Sequence, residues 1–210
     1  MTIPSDSYPN ELLRMNLPAG ADDWTPTPHG KFLAQVLAEH NLVRGFDVLE
    51  LGAGVGNHTV VLARQGAKSI VATEITAELL ETTRTNVALN VPDVSNIEYR
   101  VADWLATEGS FDVIVSNPPY VARADEASLP PELAHEPEMA LFAGTDGLDV
   151  IRRLINDAGN HLKAGGWLGI ELSPEQADEV EGLLKEAGFT DVERRFDLAS
   201  RPRVVGARWP

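Results

Sequence analysis

Cysteine does not occur among the 210 residues of the chain, which excludes disulfide bonds and thiolate chemistry. Long apolar runs are missing as well, so the sequence predicts no helix that crosses a membrane. The first residues, MTIPSDSYPNELLRMN, have neither the basic start nor the apolar centre of a signal peptide. Together these absences favour a cytoplasmic protein without a membrane partner.

Basic side chains are scarce relative to acidic ones. Lys and Arg number 17 against 32 Asp and Glu, which gives a net charge of −15. Such a surface repels phosphate backbones, so nucleic acid is a less favoured partner unless the fold collects a local basic patch. The same charge suits a basic protein or a small molecule as the partner.

Alternating strand and helix patterns organise the chain, because apolar runs of strand length are separated by segments with helical spacing. Strands are predicted at 46–51, 69–73, 97–101, 111–116, 166–172, 191–197 and 203–209, and helices at 31–42, 57–65, 76–90, 147–162 and 174–187. This order predicts an α/β fold with a mostly parallel seven-stranded sheet, helices on both faces and an antiparallel terminal strand. We expect residues 31–210 to form this domain and residues 1–30 an irregular N-terminal arm.

Glycines follow the first predicted strand in the stretch ELGAGVGN (50–57). Gly52, Gly54 and Gly56 let the backbone turn sharply and approach a ligand closely, because no Cβ intervenes. A dinucleotide-binding loop of the Rossmann type would need its third glycine at position 57, where this chain has Asn. A P-loop is excluded, since no Lys-Ser or Lys-Thr pair follows.

Acidic residues follow the next two predicted strands. Glu74, at the end of the second strand, can accept hydrogen bonds from both hydroxyls of a ribose. Asp103, after the third strand, can accept from an exocyclic amine, and the neighbouring Trp104 can cover a purine. The carboxyl ends of parallel strands meet at one edge of a sheet. These residues and the glycines together therefore indicate an adenosine-binding site that lacks a pyrophosphate-binding motif.

That combination resembles the class I S-adenosylmethionine-dependent methyltransferases, whose fold is Rossmann-like. The resemblance implies S-adenosyl-L-methionine as the cofactor, with the glycines at its methionine part and the two acids at its ribose and adenine. It favours this cofactor over NAD because the third glycine is displaced. The residues so assigned are Glu50, Gly52, Ala53, Gly54, Gly56, Glu74, Ile75, Asp103, Trp104 and Asn117.

The fourth predicted strand ends in SNPPY (116–120), which begins a segment of little periodicity reaching to about residue 146. An amide or aromatic NH2 is a poor nucleophile, because its lone pair is delocalised into the adjoining π-system. The side-chain carbonyl of Asn117 and the backbone carbonyl of Pro118 can each accept one of its N–H groups and turn the lone pair towards a methyl donor. Pro118 and Pro119 stiffen the corner, and Tyr120 can lie against the planar group. This chemistry needs neither a metal nor a charged general base.

The NPPY segment resembles that of methyltransferases acting on NH2 groups attached to planar systems, the adenine-N6 and protein-glutamine N5 enzymes. The stretch HEPEMALFAGTDGLDVIRRLINDAGNHLKAGGWLGIEL (135–172) is similar to that of the HemK/PrmC-type enzymes, which methylate the glutamine of the Gly-Gly-Gln tip of peptide chain release factors. The resemblance runs from about residue 46 to the end and covers the catalytic domain only. It implies that Asn117, Pro118 and Tyr120 hold a glutamine amide, that Glu136 lies near the active-site loop, and that a release factor or similar basic protein is the partner.

Two features depart from that family. Its bacterial members usually carry a helical N-terminal domain, where this chain has only about 30 residues. The family's Pro-Arg-Pro-Glu-Thr-Glu segment is here TPTPHGKF (25–32), so that Thr27 and His29 replace residues expected to border the methyl-donor pocket.

Three functional hypotheses follow. The first is a protein-glutamine N5-methyltransferase. The second is an N-methyltransferase that acts on adenine in RNA or DNA, or on a small-molecule amide or amine, since NPPY alone does not separate these acceptors. The third is a non-catalytic module that keeps the cofactor-binding fold as a scaffold, and the intact NPPY argues against it.

Overall fold

The computed structural model of the protein describes residues 32–40, 42–129, 138–197 and 199–210. The strands are β1 (Asp47–Leu51), β2 (Ser69–Glu74), β3 (Ile97–Val101), β4 (Phe111–Ser116), β5 (Leu162–Glu171), β6 (Thr190–Phe196) and β7 (Pro202–Arg208). The helices are α1 (Phe32–His40), α2 (Asn57–Arg64), α3 (Ala77–Asn90), α4 (Glu138–Leu141), α5 (Asp149–Ala158) and α6 (Ala177–Glu186), with 3-10 turns at Arg123–Ser128 and Pro174–Gln176.

The seven strands form one sheet in the order β3-β2-β1-β4-β5-β7-β6. The first five strands pair in parallel, whereas β7 runs antiparallel to both of its neighbours, β5 and β6. The predicted fold class is therefore confirmed. The strand order reverses between β1 and β4, which leaves a crevice beyond their carboxyl ends, where open α/β sheets bind their ligands.

Helices cover both faces of the sheet, because successive residues of a strand point to opposite sides. Val48 of β1 and Val113 of β4 pack with buried residues of α1 and α2. The adjacent residues Leu49 and Ile114 pack with buried residues of α5 and α6 on the other face. The third helix, α3, lies beside α2 and over β2 and β3. The central strands are thus buried on both sides, as their continuous apolar runs indicated.

Two elements in the second half differ in length from the prediction. The strand β5 begins four positions earlier than expected, because Leu162 already pairs with Phe111 across a register irregularity. The helix α5 is shorter than expected. It begins only after Gly147, whose φ of +78° is not helical, and it ends before Gly159, which packs against the ring of Trp209.

The segment from 117 to 146 has little sequence periodicity, yet its described part contains the 3-10 turn at Arg123–Ser128 and the helix α4. The predicted N-terminal arm, residues 1–30, lies outside the described residues. Over the part of the chain that the structure describes, no helix combines the length and the apolar character needed to span a bilayer.

Candidate active site

The predicted site residues that the structure describes lie at one edge of the sheet, at the carboxyl ends of β1 to β4. Leu51 of β1 pairs with Ser116 of β4, and the Ser116 hydroxyl donates a 3.0 Å hydrogen bond to the Leu51 carbonyl. Gly52 and Asn117 directly follow this pair on neighbouring strands. The start of the glycine loop and the start of NPPY are therefore side by side.

The glycine loop adopts a conformation that favours glycine. Gly56 has a φ of +93°, and a Cβ there would lie 3.2 Å from the carbonyl oxygen of Thr83. Gly52 has a φ of +70°, and a Cβ there would approach the Trp104 ring to 3.9 Å. The loop therefore packs against α3 and the segment after β3, whereas a Cβ at Gly54 would have no neighbour within 4 Å, so that this part of the loop borders open space.

Two polar residues of α3, which the sequence analysis missed, fix the glycine loop. The Thr83 hydroxyl donates to the Gly54 carbonyl at 2.6 Å, and the Asn86 side-chain amide donates to the Val55 carbonyl at 2.7 Å. Both side chains are fully buried. A signal for them exists in the sequence, since Thr83 lies on the helical stripe of Leu80 and Val87, where a polar residue needs a partner.

Glu74 is bonded directly to the glycine loop. Its Oε1 accepts from the backbone N–H of Gly54 at 2.7 Å, and its Oε2 accepts from the N–H of Ile75 at 2.9 Å. Each carboxylate oxygen still has a lone pair, so the group can also accept from two hydroxyls. Glu74 is buried whereas the Ile75 side chain is 42% exposed, so that Ile75 presents an apolar surface at the rim.

The residues after β3 are held from two sides. Arg153 of α5 donates to the Asp103 carboxylate at 3.1 Å, in an exposed ion pair. Trp104 has a φ of +54°, which is uncommon for a residue with a side chain, and its partly buried ring packs against the core beside Gly52. The pairing of Arg153 with Asp103 could not be predicted from the sequence.

Glu50 lies beneath the glycine loop and is almost completely buried. Burial raises the pKa of its carboxyl to about 8, and the nearby negative charge of Glu74 acts in the same direction. The Thr59 hydroxyl donates to Oε2 at 2.6 Å, and Nδ1 of His58 lies 3.8 Å from Oε1. At pH 7 this carboxyl is therefore mainly protonated.

The side-chain carbonyl oxygen of Asn117 is buried and has no hydrogen-bond partner among the described residues. Pro118 and Pro119 are buried and Tyr120 is half-buried. An unpaired buried acceptor is costly, on the order of 1–3 kcal/mol, and is most readily explained by a donor that arrives with a ligand.

The corner after NPPY is fastened by two residues that the sequence analysis did not select. The Gln176 side-chain amide donates to the Tyr120 carbonyl at 2.9 Å and to the Gly147 carbonyl at 3.2 Å. A Cβ on Gly147 would lie 2.3 Å from the Tyr120 carbonyl oxygen. Glycine at 147 is therefore required for the close approach of the two segments.

The chain beyond NPPY returns to the same corner. Val121 forms a parallel bridge with Phe142. The Val121 N–H donates to the Leu141 carbonyl at 2.9 Å, and the Ala143 N–H donates to the Val121 carbonyl at 3.0 Å. The guanidinium of Arg123 lies 4.1 Å from the Phe142 ring centroid. Glu136, predicted near this loop, lies outside the described residues.

No group of three or more His, Asp or Glu side chains suited to a metal ion occurs within residues 32–40, 42–129, 138–197 and 199–210. The arrangement instead offers the side-chain amide of Asn117 and the carboxylates of Glu74 and Asp103 around the crevice. These groups can recognise hydroxyls and an NH2 group.

Comparisons with known proteins agree with this geometry. The family model described as "Methyltransferase small domain" matches residues 28–146. A release factor glutamine methyltransferase from Deinococcus radiodurans is 38% identical over 196 residues, which cover 92% of this chain and 69% of that protein. The corresponding protein from Cereibacter sphaeroides is 40% identical over 167 residues, which cover 78% of this chain and 59% of that protein. Among solved structures, a methyltransferase from Pyrococcus furiosus matches with a TM-score of 0.65 at 20% identity, covering 93% of this chain and 88% of that one.

Proposed function

Since the chain belongs to the family of release factor glutamine methyltransferases, we propose that it transfers a methyl group from S-adenosylmethionine to the side-chain amide of a protein glutamine. The observation that carries this proposal is the buried, unpaired carbonyl oxygen of Asn117, next to the glycine loop. It is an acceptor held ready for an N–H donor that the described residues do not supply.

The residues at the sheet edge fit an S-adenosylmethionine site. Gly52 and Gly54 present no side chain to a ligand, and the Glu74 carboxylate has lone pairs for two ribose hydroxyls. We expect Asp103 to accept from the adenine amine and the exposed Ile75 to border the adenine ring. Asn117 lies beside Gly52 at the start of the glycine loop. A substrate amide bound by Asn117 is therefore next to the methionine part of the cofactor.

The cofactor, when bound, would supply a methyl group on a positively charged sulfur, and a nucleophile in line with the carbon–sulfur bond would take that methyl group as the sulfur leaves. The work of this chain is to prepare the amide nitrogen. Asn117 Oδ1 accepts one N–H and the Pro118 carbonyl accepts the other, which pulls the amide nitrogen towards tetrahedral geometry. Its lone pair is then less conjugated with the amide carbonyl and is directed towards the methyl group. The two prolines and the Gln176 bonds keep these acceptors in place. The products are the N-methylated amide, S-adenosylhomocysteine and one proton.

We propose further that the glutamine belongs to a peptide chain release factor or a similar basic protein. Relatives at 38% and 40% identity are named for that substrate. The net charge of −15 favours association with a basic protein and disfavours a nucleic acid. Two arginines near the crevice, Arg123 and Arg153, are already paired with Glu138 and Asp103, which reduces the basic surface open to phosphates.

The test is incubation of the protein with a release factor and S-adenosylmethionine labelled in its methyl group. We expect label in the release factor, and none when the glutamine of its Gly-Gly-Gln tip is replaced by Ala. Asn117→Ala should retain most of its affinity for the cofactor, because the glycine loop and Glu74 are untouched, and should lose transfer. Equal labelling of the Gln→Ala release factor would reject the glutamine, and full activity of Asn117→Ala would reject the mechanism.

A further inference from the structure

Glu171 is a buried acid at the end of β5 that the proposed mechanism does not use. Its side chain is about 1% exposed. Oε2 accepts a 3.0 Å hydrogen bond from the backbone N–H of Leu33, in the first turn of α1. Oε1 is buried and has no hydrogen-bond partner in the described part of the chain. An acid kept in such a position needs an explanation beyond packing.

The register of the sheet brings Glu171 next to Asn117. Ser116 of β4 pairs with Ile170 of β5 in parallel, so the residues that follow, Asn117 and Glu171, occupy neighbouring positions. Both belong to the face covered by α1, since side chains alternate along a strand and the residue two before Asn117, Val115, packs in the cluster that contains Leu33. Two buried oxygens without partners thus occur at adjacent positions of one face.

The first turn of α1 is held at the same place. The N–H groups of a first helical turn have no partner within the helix, and Glu171 satisfies that of Leu33 from the sheet. Arg203 of β7 lies 5.3 Å from the ring centroid of Phe32, the first residue of α1. The start of α1 is therefore fixed over the carboxyl end of β5 and the adjacent amino end of β7, on the side of the crevice occupied by Asn117.

We propose that Glu171 is a positioning residue for methyl transfer. By fixing the first turn of α1 to the sheet, it holds the wall of the crevice against which Asn117 orients the acceptor amide. This inference rests on the proposed function for the identity of that amide. Burial raises the pKa of Glu171 to about 8, with Arg203 opposing the shift, so that the group is mainly a neutral carboxyl at pH 7.

Three substitutions of Glu171 distinguish the effects of side-chain length, acidity and volume. Glu171→Gln keeps an oxygen at the same distance and should retain most of the transfer rate. Glu171→Asp keeps the acid but is one methylene too short to reach Leu33, and Glu171→Leu removes the acceptor. Both should lower kcat by roughly tenfold or more, because a small misplacement of reacting groups is costly. The Kd for S-adenosylmethionine, measured by calorimetry, should stay within about threefold, since the glycine loop and Glu74 are untouched.

A second measurement keeps the proposal testable if Glu171→Leu does not fold. Amide hydrogen exchange of α1 should be faster in Glu171→Asp than in the parent or in Glu171→Gln, because the tie to the sheet is lost. Glu186→Gln, on an exposed acid at the end of α6, is the control and should change neither exchange nor kcat.

The outcomes that overturn the proposal are distinct from those that overturn the function. Parent-like kcat and α1 exchange in Glu171→Asp would reject Glu171 as a positioning residue. So would a loss of transfer in Glu171→Gln as large as that in Glu171→Leu. If the parent protein transfers no methyl group to a release factor, the proposed function fails. The hydrogen-exchange comparison then tests only whether Glu171 anchors α1 to the sheet. Parent-like exchange of α1 in Glu171→Asp would reject that anchoring.

Discussion

The backbone N–H of Gly54 donates a 2.7 Å hydrogen bond to Oε1 of Glu74, which joins the turn after β1 to the carboxyl end of β2. One carboxylate therefore does two things: it shapes the glycine loop and offers acceptors to a ligand in the crevice. Loss of that carboxylate should affect both the loop and the ligand.

Glu74→Ala should weaken binding of S-adenosylmethionine by roughly 1–3 kcal/mol, because hydrogen bonds to ribose hydroxyls are lost and the loop is less fixed. Isothermal calorimetry measures the change directly. Glu78→Ala, on an exposed acid in the first turn of α3, is the matched control and should leave the affinity unchanged. Parent-like affinity of Glu74→Ala would remove Glu74 from the site.

Thr83→Val should lower both the free energy of unfolding and the cofactor affinity, by roughly 1–2 kcal/mol in stability, because the Gly54 carbonyl loses its buried donor. The neighbouring Thr82 provides the control. Its hydroxyl donates only to the Glu78 carbonyl of its own helix, so Thr82→Val should have little effect. Chemical denaturation and calorimetry on both variants make the comparison, and equal effects of the two would contradict the role of Thr83.

Gly147→Ala should displace the corner after NPPY and reduce methyl transfer by roughly tenfold or more, since a Cβ would lie 2.3 Å from the Tyr120 carbonyl oxygen. Gly182→Ala is the matched control, because no atom lies within 4 Å of a Cβ at this helical position. It should be neutral or stabilise the protein by up to about 1 kcal/mol. Steady-state kinetics of Gly147→Ala at the parent level would show that the corner tolerates movement.

Glu50→Gln should change how stability depends on pH. A carboxyl whose folded-state pKa is about 8 binds a proton that the unfolded chain releases near pH 4, so its contribution to stability is present at low pH and is lost as pH rises towards 8. The amide does not titrate. The variant should therefore gain stability relative to the parent between pH 5 and 9, by roughly 4–5 kcal/mol at the upper end. Thermal unfolding of the cofactor-free proteins measures the difference, and parallel pH curves would contradict a buried neutral Glu50.

The sequence predicted the individual strands and the edge where the site lies, because these follow from local patterns. The apolar runs ending at Leu51, Thr73 and Ser116 fall within one residue of the bounds of β1, β2 and β4. The glycines, Glu74 and the NPPY segment stand directly after strands, so their convergence follows from parallel pairing alone.

The residues that hold the site in place could not be predicted in the same way. Thr83, Gln176 and Arg153 reach carbonyls or carboxylates that are 29, 56 and 50 positions away in the chain. Their partners are set by how helices dock on the sheet, and no local pattern encodes that. The early start of β5 at Leu162 likewise depends on pairing with Phe111 rather than on the composition of the strand.

The bridge between Val121 and Phe142 makes the intervening chain an excursion with both ends fixed by backbone hydrogen bonds. Lengthening such an excursion costs little, about 0.6 kcal/mol for each doubling, and leaves the strands beneath it undisturbed. A connection of different length between Val121 and Phe142 is therefore compatible with an unchanged nucleoside-binding edge, formed by the glycine loop and Glu74.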